Sequence, residues 1–239
     1  MIKTKAIVLN RIKFKESDFL VFLYTLDFGK MIITAKGANR SGSKLSAHLE
    51  PLNFVDLMII KNKRGFSIGS SISKKSFVNI KNSYNSVYLA GRALNFFNKA
   101  VKDEQQDFDL FVFLKSFLED LESNHWKIEE KSDEDLNFFL DIFKLKLLAL
   151  LGYSFNLCSC VDCSSEAELN VLSFDKGGLI CQKCVKDSLL NNSYIKVSDD
   201  LIFLKKLVNK SDFSSLFSLG FNKSLQDLIR KKLCYFSFS

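Results

Sequence analysis

Short apolar segments alternate with turn residues through the first 78 positions of the chain. Polar and apolar side chains alternate from Arg11 to Lys15 and again between Phe66 and Ser73, which is the period of a β-strand. Turn-forming residues occur at 16–18, 27–30 and 37–43. The pattern predicts five strands, at residues 2–15, 19–26, 31–35, 52–61 and 66–73. Five strands within eighty residues are typical of a small closed barrel.

After Phe77 the apolar residues are spaced by three and four, the period of an amphipathic helix. The spacing predicts helices over 87–101, 110–121 and 132–152, with Ser132 as the N-cap of the third and Gly152 at its end. Two further helices are expected at 201–208 and 223–233. The apolar stripe of the first helix comprises Val87, Ala90, Leu94, Phe97 and Val101. The chain is therefore predicted to be an α+β multidomain protein, with a barrel followed by helices.

Positive charge is concentrated in the predicted barrel. Residues 1–80 contain fourteen Lys and Arg but five Asp and Glu, a net charge of +9, whereas the other 159 residues have a net charge of −2. A lysine bias of composition would affect the whole chain, so this asymmetry favours a polyanion-binding module joined to a nearly neutral one. The candidate nucleic-acid contacts flank predicted loops and a strand end: Lys36, Arg40 and Lys44; Lys61, Lys63 and Arg64; Lys13 and Lys15.

Five of the six cysteines lie between residues 158 and 184. Cys160 and Cys163 form one C-x2-C pair, and Cys181 and Cys184 form a second, with seventeen residues between the pairs. This spacing is typical of a structural zinc site, in which four thiolates surround one ion as a tetrahedron. Cys158 is an alternative to Cys160, but the C-x-C spacing is less common in zinc ribbons. We therefore assign one Zn²⁺ to the two C-x2-C pairs.

Other uses of these cysteines agree less well with the sequence. The only apolar stretch near the N-terminus, Ala6 to Leu9, is too short for a secretion signal, so we expect a cytoplasmic protein, in which disulfides are rare. A redox C-x-x-C would not need a second pair. The zinc-deaminase pattern, His-x-Glu followed by Pro-Cys-x-x-Cys, is absent from the sequence.

No catalytic arrangement is evident in the sequence. Residues 37–44 contain two glycines and end in a lysine, but Lys44 does not follow Gly42 directly, so the segment is a basic loop rather than a nucleotide-binding phosphate loop. His48 and His125 are far apart and have no evident nucleophile partner. No apolar run approaches the eighteen residues of a membrane span. We therefore expect a binding protein rather than an enzyme.

Several short segments resemble the RecO family of bacterial recombination mediators. In the first half these are the strand Lys5–Leu9, the turn Glu16-Ser17-Asp18, the hairpin Gly29-Lys30, the basic segment Ala35-Lys36-Gly37-Ala38, and Leu49-Glu50-Pro51. The second half adds the helix end Leu151-Gly152-Tyr153 and the segment Gly177-Gly178-Leu179 before the second C-x2-C pair. Each segment is short, but their combination spans nearly the whole chain and is specific.

The resemblance implies an OB-fold at residues 1–78, a helical domain at 79–155 and 187–239, and a zinc ribbon inserted at 156–186. A RecO-like protein would bind single- and double-stranded DNA, anneal complementary strands and help RecR to load the recombinase onto DNA coated by single-strand-binding protein (SSB), in the RecF pathway. The acidic tail of SSB would dock on residues 79–239, for which Lys205, Lys206 and Arg230 to Lys232 are candidates. No nucleotide cofactor is expected.

Two aromatic residues of the implied OB-fold lie next to cations and are candidates for stacking on DNA bases. They are Phe66, near Lys63 and Arg64, and Phe14, between Lys13 and Lys15. Either residue could instead belong to the barrel core. Two other functions remain open, a zinc-ribbon protein of transcription or translation that binds RNA, and a scaffold that does not bind DNA.

Overall fold

The computed structural model of the protein describes residues 1–62, 65–103, 105–173, 175–185, 194–196, 213–218 and 221–234. Lys63, Arg64, Lys205, Lys206 and the helix predicted at 201–208 lie outside the described residues. The chain forms two compact units, Met1–Ser132 with Asp212–Ser218 and Asp133–Ser211 with Leu219–Ser239. The sequence instead places its first domain boundary at residue 78, and those domain limits stay a prediction. The two units are described separately below.

The first unit begins with a closed five-stranded barrel, as the sequence predicts. Its strands are β1 (Ile2–Phe14), β2 (Asp18–Thr25), β3 (Gly29–Ala35), β4 (Phe54–Asn62) and β5 (Gly65–Lys75). They follow the order β1-β2-β3-β5-β4 around the barrel, with β3 and β5 parallel and the other neighbours antiparallel. This is the strand arrangement of an OB-fold. A helix between β3 and β4, α1 (Lys44–His48), was not predicted, because five residues are too few to show a helical period.

Alternate residues of the strands fill the interior of the barrel. The core includes Ala6, Val8, Val21, Leu23, Ile33, Val55, Leu57 and Ile59, each at most 2% exposed. A β-bulge between Val8 and Asn10 adds one residue to β1 relative to β2. Because side chains alternate across a strand, the extra residue moves Ile12 and Phe14 to the outer face of the barrel.

Helices complete the first unit: α2 (Val78–Asn82), α3 (Tyr84–Ala100), α4 (Phe108–Ser123) and α5 (His125–Glu129). The side chain of Ser83 caps α3, and that of Asp107 caps α4 by accepting a 2.9 Å hydrogen bond from the Leu110 N–H. The expected burial of Val87 was wrong, since this side chain is 41% exposed while Leu89 is fully buried. The buried face of α3 is therefore rotated from the predicted stripe.

Helices α3 and α4 cover one end of the outer face of β2. Tyr24 is fully buried there, its ring lies 4.8 Å from that of Phe97 in an edge-to-face contact, and its hydroxyl donates to the Asp107 carbonyl over 3.4 Å. Burial raises the pKa of Tyr24. Gly29 is required nearby, because a Cβ atom at this position would lie 2.0 Å from the carbonyl oxygen of Gln105. The barrel and these helices are thus closely packed.

The second unit is built around one buried helix, α6 (Asp133–Leu148), which continues into a π-helical turn at Ala149–Tyr153. The sequence predicts one apolar stripe on this helix, but α6 is buried on most sides, as Phe138, Leu140, Ile142 and Phe143 show. Helix α7 (Lys223–Cys234) packs against it, and β6 (Leu169–Ser173), β7 (Gly178–Cys181) and β8 (Tyr194–Lys196) form an antiparallel sheet in the order β7-β6-β8.

Candidate nucleic-acid interface and metal site

Helices cover one end of the outer face of β1, β2 and β3. The rest of that face is exposed. Ile12, Phe14 and Ile32 are 46%, 40% and 47% exposed there, and Leu20 and Phe22 are partly buried. The strand register brings them together, because Ile12 pairs with Leu20, and Phe22 pairs with Ile32. We call these five residues the open face. Exposed apolar surfaces on folded proteins are often binding sites, so the open face is a candidate binding surface.

Two loops at the end of this face are hydrogen-bonded to each other. The N–H of Asn39 donates to the Ser17 carbonyl over 2.9 Å, and its side-chain amide donates to the Glu16 carbonyl over 3.0 Å. The N–H of Gly37 donates to the Asp18 carboxylate over 2.8 Å, and this hydrogen bond lowers the pKa of Asp18. The β1–β2 turn and the β3–α1 loop therefore form one rim, although about twenty residues separate them in sequence.

The cations nominated from the sequence carry charges that are not neutralised by ion pairs with described residues. The six of them that the structure describes are all exposed, and none forms an ion pair with another described residue; they are Lys13, Lys15, Lys36, Arg40, Lys44 and Lys61. Three other barrel lysines are neutralised, because Lys30, Lys74 and Lys75 pair with Asp103, Asp56 and Glu119 respectively.

Arg11 makes structural contacts with α1 and with a core ring. Its guanidinium donates to the Ser46 carbonyl of α1 and lies 4.7 Å from the centre of the Phe19 ring. These contacts attach α1 to the barrel. Since α1 begins at Lys44, they also fix the position of one of the candidate cations.

The two candidate stacking residues are both exposed but lie on different faces. Phe14 belongs to the open face, and the Lys15 ammonium is 5.3 Å from the centre of its ring. Phe66 is 39% exposed, but its second neighbour Ile68 points into the core. Side chains alternate along a strand, so Phe66 lies on the inner side of β5, at the rim of the barrel. The structure therefore groups Phe14, and not Phe66, with the other exposed apolar residues of β1 to β3.

Sequence reasoning missed four members of the open face, Ile12, Leu20, Phe22 and Ile32. One signal was present: the run from Phe19 to Leu26 is almost entirely apolar, whereas an antiparallel strand with one face in water alternates. Such a run indicates that both faces of the strand make apolar contacts. The bulge in β1 hid the position of Ile12, because it changes the side on which the residue lies.

Four cysteines of the second unit gather at one point. The Sγ atoms of Cys160, Cys163, Cys181 and Cys184 lie within 4.8 Å of one another, and those of Cys163 and Cys181 are 3.6 Å apart. In a tetrahedral zinc site with Zn–S bonds of about 2.3 Å, the sulfur atoms are about 3.8 Å apart. The donor set and the spacing therefore fit one metal ion. Cys158 is exposed and does not belong to the group.

The backbone shapes both cysteine pairs into tight turns. The Ser164 N–H donates to the Cys160 carbonyl over 2.9 Å, and the Cys184 N–H donates to the Cys181 carbonyl over 3.0 Å. Gly178 allows the segments to approach, because a Cβ atom there would lie 2.6 Å from a methyl carbon of Val161. The glycine before the second pair is thus needed for packing.

The pKa values of the clustered thiols are shifted in opposite directions. Burial opposes ionisation of Cys160, but the backbone N–H groups of Cys181, Cys163 and Asp162 lower its pKa to about 6. The side chains of Cys163 and Cys181 raise the pKa of Cys184 to about 12. Crowded thiolates repel one another, and a bound cation would offset that repulsion.

Two family profiles together match almost the whole chain. The profile described as "Recombination protein O N terminal" matches residues 1–76, and "Recombination protein O C terminal" matches residues 81–233. The chain belongs to the RecO family. The sequence-based recognition of RecO is thereby confirmed, as is the predicted fold class, an OB-like barrel followed by a helical region.

Curated relatives named "DNA repair protein RecO" agree with this assignment. The protein of Caldanaerobacter subterraneus subsp. tengcongensis is 31% identical over 208 residues, which are 86% of this chain and 80% of the relative. The protein of Caldicellulosiruptor bescii is 27% identical over 231 residues, covering 96% and 89% of the two chains. That of Dehalococcoides mccartyi is 30% identical over 225 residues, covering 93% and 84%. The chain is thus a DNA repair protein of the RecO family.

Of the residues predicted to bind the SSB tail in this RecO-family protein, the structure describes three, and they differ in exposure. Arg230 is bonded to the buried carboxylate of Asp141 at 2.9 Å. Lys232 is buried with its ammonium 3.8 Å from the centre of the Phe155 ring, and burial lowers its pKa. Lys231 is exposed.

Among the described residues, no helix is both long and apolar enough to cross a membrane.

Proposed function

We propose that the protein acts in the cytoplasm as a recombination mediator of the RecF pathway that binds single-stranded DNA on the open face of its barrel. The observation that supports this proposal is the apolar surface of Ile12, Phe14, Leu20, Phe22 and Ile32 beside a rim of unpaired cations. Bases stack on exposed aromatic and apolar side chains, and cations hold the phosphates, without dependence on sequence. Strands β2 and β3 of OB-folds commonly provide this surface.

The protein would work by binding rather than by catalysis. Single strands held on a surface that does not read sequence can pair with a complementary strand, which is the annealing activity that RecO membership implies. Double-stranded DNA would bind through its phosphates to the same cations. Loading of the recombinase with RecR on SSB-coated DNA completes the proposed role, and no nucleotide is hydrolysed in it.

A salt series on DNA binding by the full chain tests this proposal. On single strands, log affinity falls with log salt by about 0.7 per neutralised phosphate, so four to six contacts give a slope of roughly −3 to −4. Replacing Arg40 and Lys44 together by alanine should make the slope shallower by about one unit and weaken all sequences alike. Lys81→Ala is the matched control, since Lys81 is held by Glu50 and Asn53.

Three results would count against the proposal. An unchanged slope in the Arg40 and Lys44 double variant would show that DNA does not contact this loop. Tighter binding of RNA than of DNA of the same sequence would favour the alternative of an RNA-binding protein. The absence of DNA binding in a gel-shift assay at low salt would favour the alternative of a scaffold that does not bind DNA.

We further propose that the four clustered cysteines bind one structural Zn²⁺. A bound zinc supplies folding energy to a small segment that has few apolar contacts. Among the described residues, the cluster that packs around the thiols is small and contains three buried residues, Cys160, Ile180 and Cys181, with partly buried neighbours. The Cys160, Cys163, Cys181 and Cys184 thiolates would hold the ion, and Cys158 would not.

The acidic, apolar-tipped tail of SSB is proposed to bind beside Trp126 in the first unit. A pocket of about 300 Å³ there is lined by two aromatic residues, two lysines, one glutamate and one serine: Trp126, Phe217, Lys127, Lys131, Glu130 and Ser218. Trp126 is 56% exposed, with the Lys127 ammonium 5.2 Å from the centre of its ring. An aromatic surface with two lysines suits a peptide that carries carboxylates and an apolar tip.

Trp126 is the only tryptophan of the chain, so its fluorescence reports directly on this pocket. Titration with a tail peptide should change the emission in a saturable way, and Lys127→Glu should weaken the binding about tenfold. A peptide with its carboxylates amidated is the matched control and should bind weakly. A flat titration, or equal binding to Lys127→Glu, would contradict this location.

A further inference from the structure

A second open surface of the barrel lies on β1, β4 and β5, apart from the open face. It is a groove of about 660 Å³. Its lining includes Lys3, Lys5, Asp56, Met58, Ser70 and Ile72. The strand register explains the groove, because Lys3 pairs with Met58, which pairs with Ser70, and Lys5 pairs with Asp56, which pairs with Ile72. These six residues form two rows across three neighbouring strands.

Two apolar residues, Met58 and Ile72, face outward in the groove. Ile72 is 60% exposed, the most exposed of the large apolar residues of the strands. Met58 is partly buried and lies against Gly69, where an added Cβ atom would come within 3.1 Å of its terminal methyl.

Some charged residues of the groove are already paired within the protein, and others are available to a partner. The carboxylate of Asp56 is already paired with the Lys74 ammonium at 3.0 Å. Lys3 and Lys5 are exposed, and neither forms an ion pair with another described residue. Asp27 follows β2 and lies beside β1, since the Leu26 N–H donates to the Lys5 carbonyl over 2.9 Å, but it forms no ion pair with either lysine. The β1 side of the groove therefore carries the unpaired charges of two lysines and one aspartate, a net positive charge, next to Met58 and Ile72.

We infer that this groove binds an amphipathic α-helix of a partner protein, with the apolar stripe of that helix on Met58 and Ile72 and its acidic residues toward Lys3 and Lys5. The barrel is closed, so a partner cannot add a strand to an edge there and must dock through side chains. Three strands spaced by about 4.8 Å give a face about 10 Å wide, which matches the diameter of an α-helix.

Nucleic acid is a poorer match for this groove than a protein helix. The residues that line the groove include no aromatic ring on which a base could stack. An acidic amphipathic helix needs no stacking surface, since its charges would meet Lys3 and Lys5 and its apolar stripe would cover Met58 and Ile72. The inference does not depend on the proposed DNA-binding function.

Fluorescence anisotropy with the full chain tests the inference. The probe is a labelled, stapled 16-residue helical peptide with Leu at a spacing of three and four and Glu on both flanks of that stripe. The control peptide has Lys in place of every Glu. We expect saturable binding of the Glu peptide and at least tenfold weaker binding of the Lys peptide at low salt, because only the former complements Lys3 and Lys5.

Substitutions place the peptide on the protein. Ile72→Glu should weaken the Glu peptide at least tenfold, and Lys3→Ala with Lys5→Ala should weaken it several-fold and reduce its salt dependence. The matched control is Val87→Glu on α3, which introduces the same charge at a residue that is 41% exposed and outside the groove, and it should bind as the parent protein does. Ile72 is largely exposed, so thermal unfolding of the variants should be almost unchanged.

The inference is overturned by any of three outcomes. The first is that the Glu peptide does not bind saturably, and the second is that the two peptides bind equally. The third is that Ile72→Glu does not alter the binding. A tenfold loss of single-stranded DNA affinity in Ile72→Glu would also overturn it, since the groove would then belong to the DNA surface. Loss of peptide binding with DNA affinity retained supports it and leaves the proposed DNA-binding function untouched.

Discussion

Replacing Phe14 by alanine tests whether bases stack on the open face. An aromatic side chain buries about 200 Å² when fully covered, and Phe14 is 40% exposed, so a stacked base can cover at most about 80 Å² more of it. At about 25 cal/mol per Å² this area corresponds to about 2 kcal/mol, and to about 1 kcal/mol if the base covers half of it. We therefore expect the affinity for single-stranded DNA to fall about five- to thirtyfold.

The salt dependence separates this loss from a loss of charge. Phe14→Ala removes no cation, so its plot of log affinity against log salt should run parallel to that of the parent protein and below it. Lys36→Ala should instead give a line shallower by about 0.7, because one phosphate contact is lost. Fluorescence anisotropy with a labelled oligonucleotide at five salt concentrations measures both quantities.

Two further variants control the experiment. Phe108→Ala makes the same chemical change at a residue of α4 that is 63% exposed and outside the open face, and it should leave DNA affinity unchanged. Phe14→Trp keeps a stacking ring and should restore most of the affinity. If Phe14→Ala binds DNA as tightly as the parent protein, or if its loss appears as a change of slope, the stacking role of the open face is refuted.

Three other predictions concern the metal and the rim. Purified protein should contain about one zinc per chain by elemental analysis. Cys181→Ser should abolish the zinc content, and Cys158→Ser should preserve it. Loss of the metal in Cys158→Ser but not in Cys181→Ser would contradict the ligand assignment. Lys15 has a left-handed backbone with φ of +58°, so Lys15→Gly should relieve backbone strain and keep or slightly raise the melting temperature while it weakens DNA binding; a lower melting temperature with unchanged DNA affinity would argue against this. The pKa of Asp18 is lower in the folded protein than its ordinary value of 3.8, so its stabilising effect is complete above that value and is lost as the pH falls through the folded pKa. Asp18→Asn should therefore remove part of the acid sensitivity of unfolding, measured by circular dichroism between pH 2 and 6, and an identical pH profile would refute it.

The sequence alone determined the order and type of most elements. Alternating positions before Phe77 and three-four spacing after it follow from the two periods of strand and helix, and these periods are local properties of the chain. The two C-x2-C pairs were also readable, because the geometry of a metal site constrains spacing within each pair. The structure brings together the same four cysteines and leaves Cys158 outside.

The tertiary structure alone decided which surfaces are open. Tyr24 and Phe22 lie on the same face of β2, yet helices cover the first and leave the second partly exposed, and an apolar run in the sequence cannot distinguish these outcomes. The bulge that turns Ile12 outward is equally invisible, since it depends on how β1 pairs with β2.

Charge shows the same division between local and long-range information. The sequence gives fourteen cations in the first 80 residues, but only the fold shows that Lys30 and Lys75 are paired with Asp103 and Glu119, far along the chain. It also joins the β1–β2 turn to the β3–α1 loop through Asn39. A count of charges is additive along a sequence, whereas the charge that a partner meets depends on which side chains the folded chain brings within contact of one another.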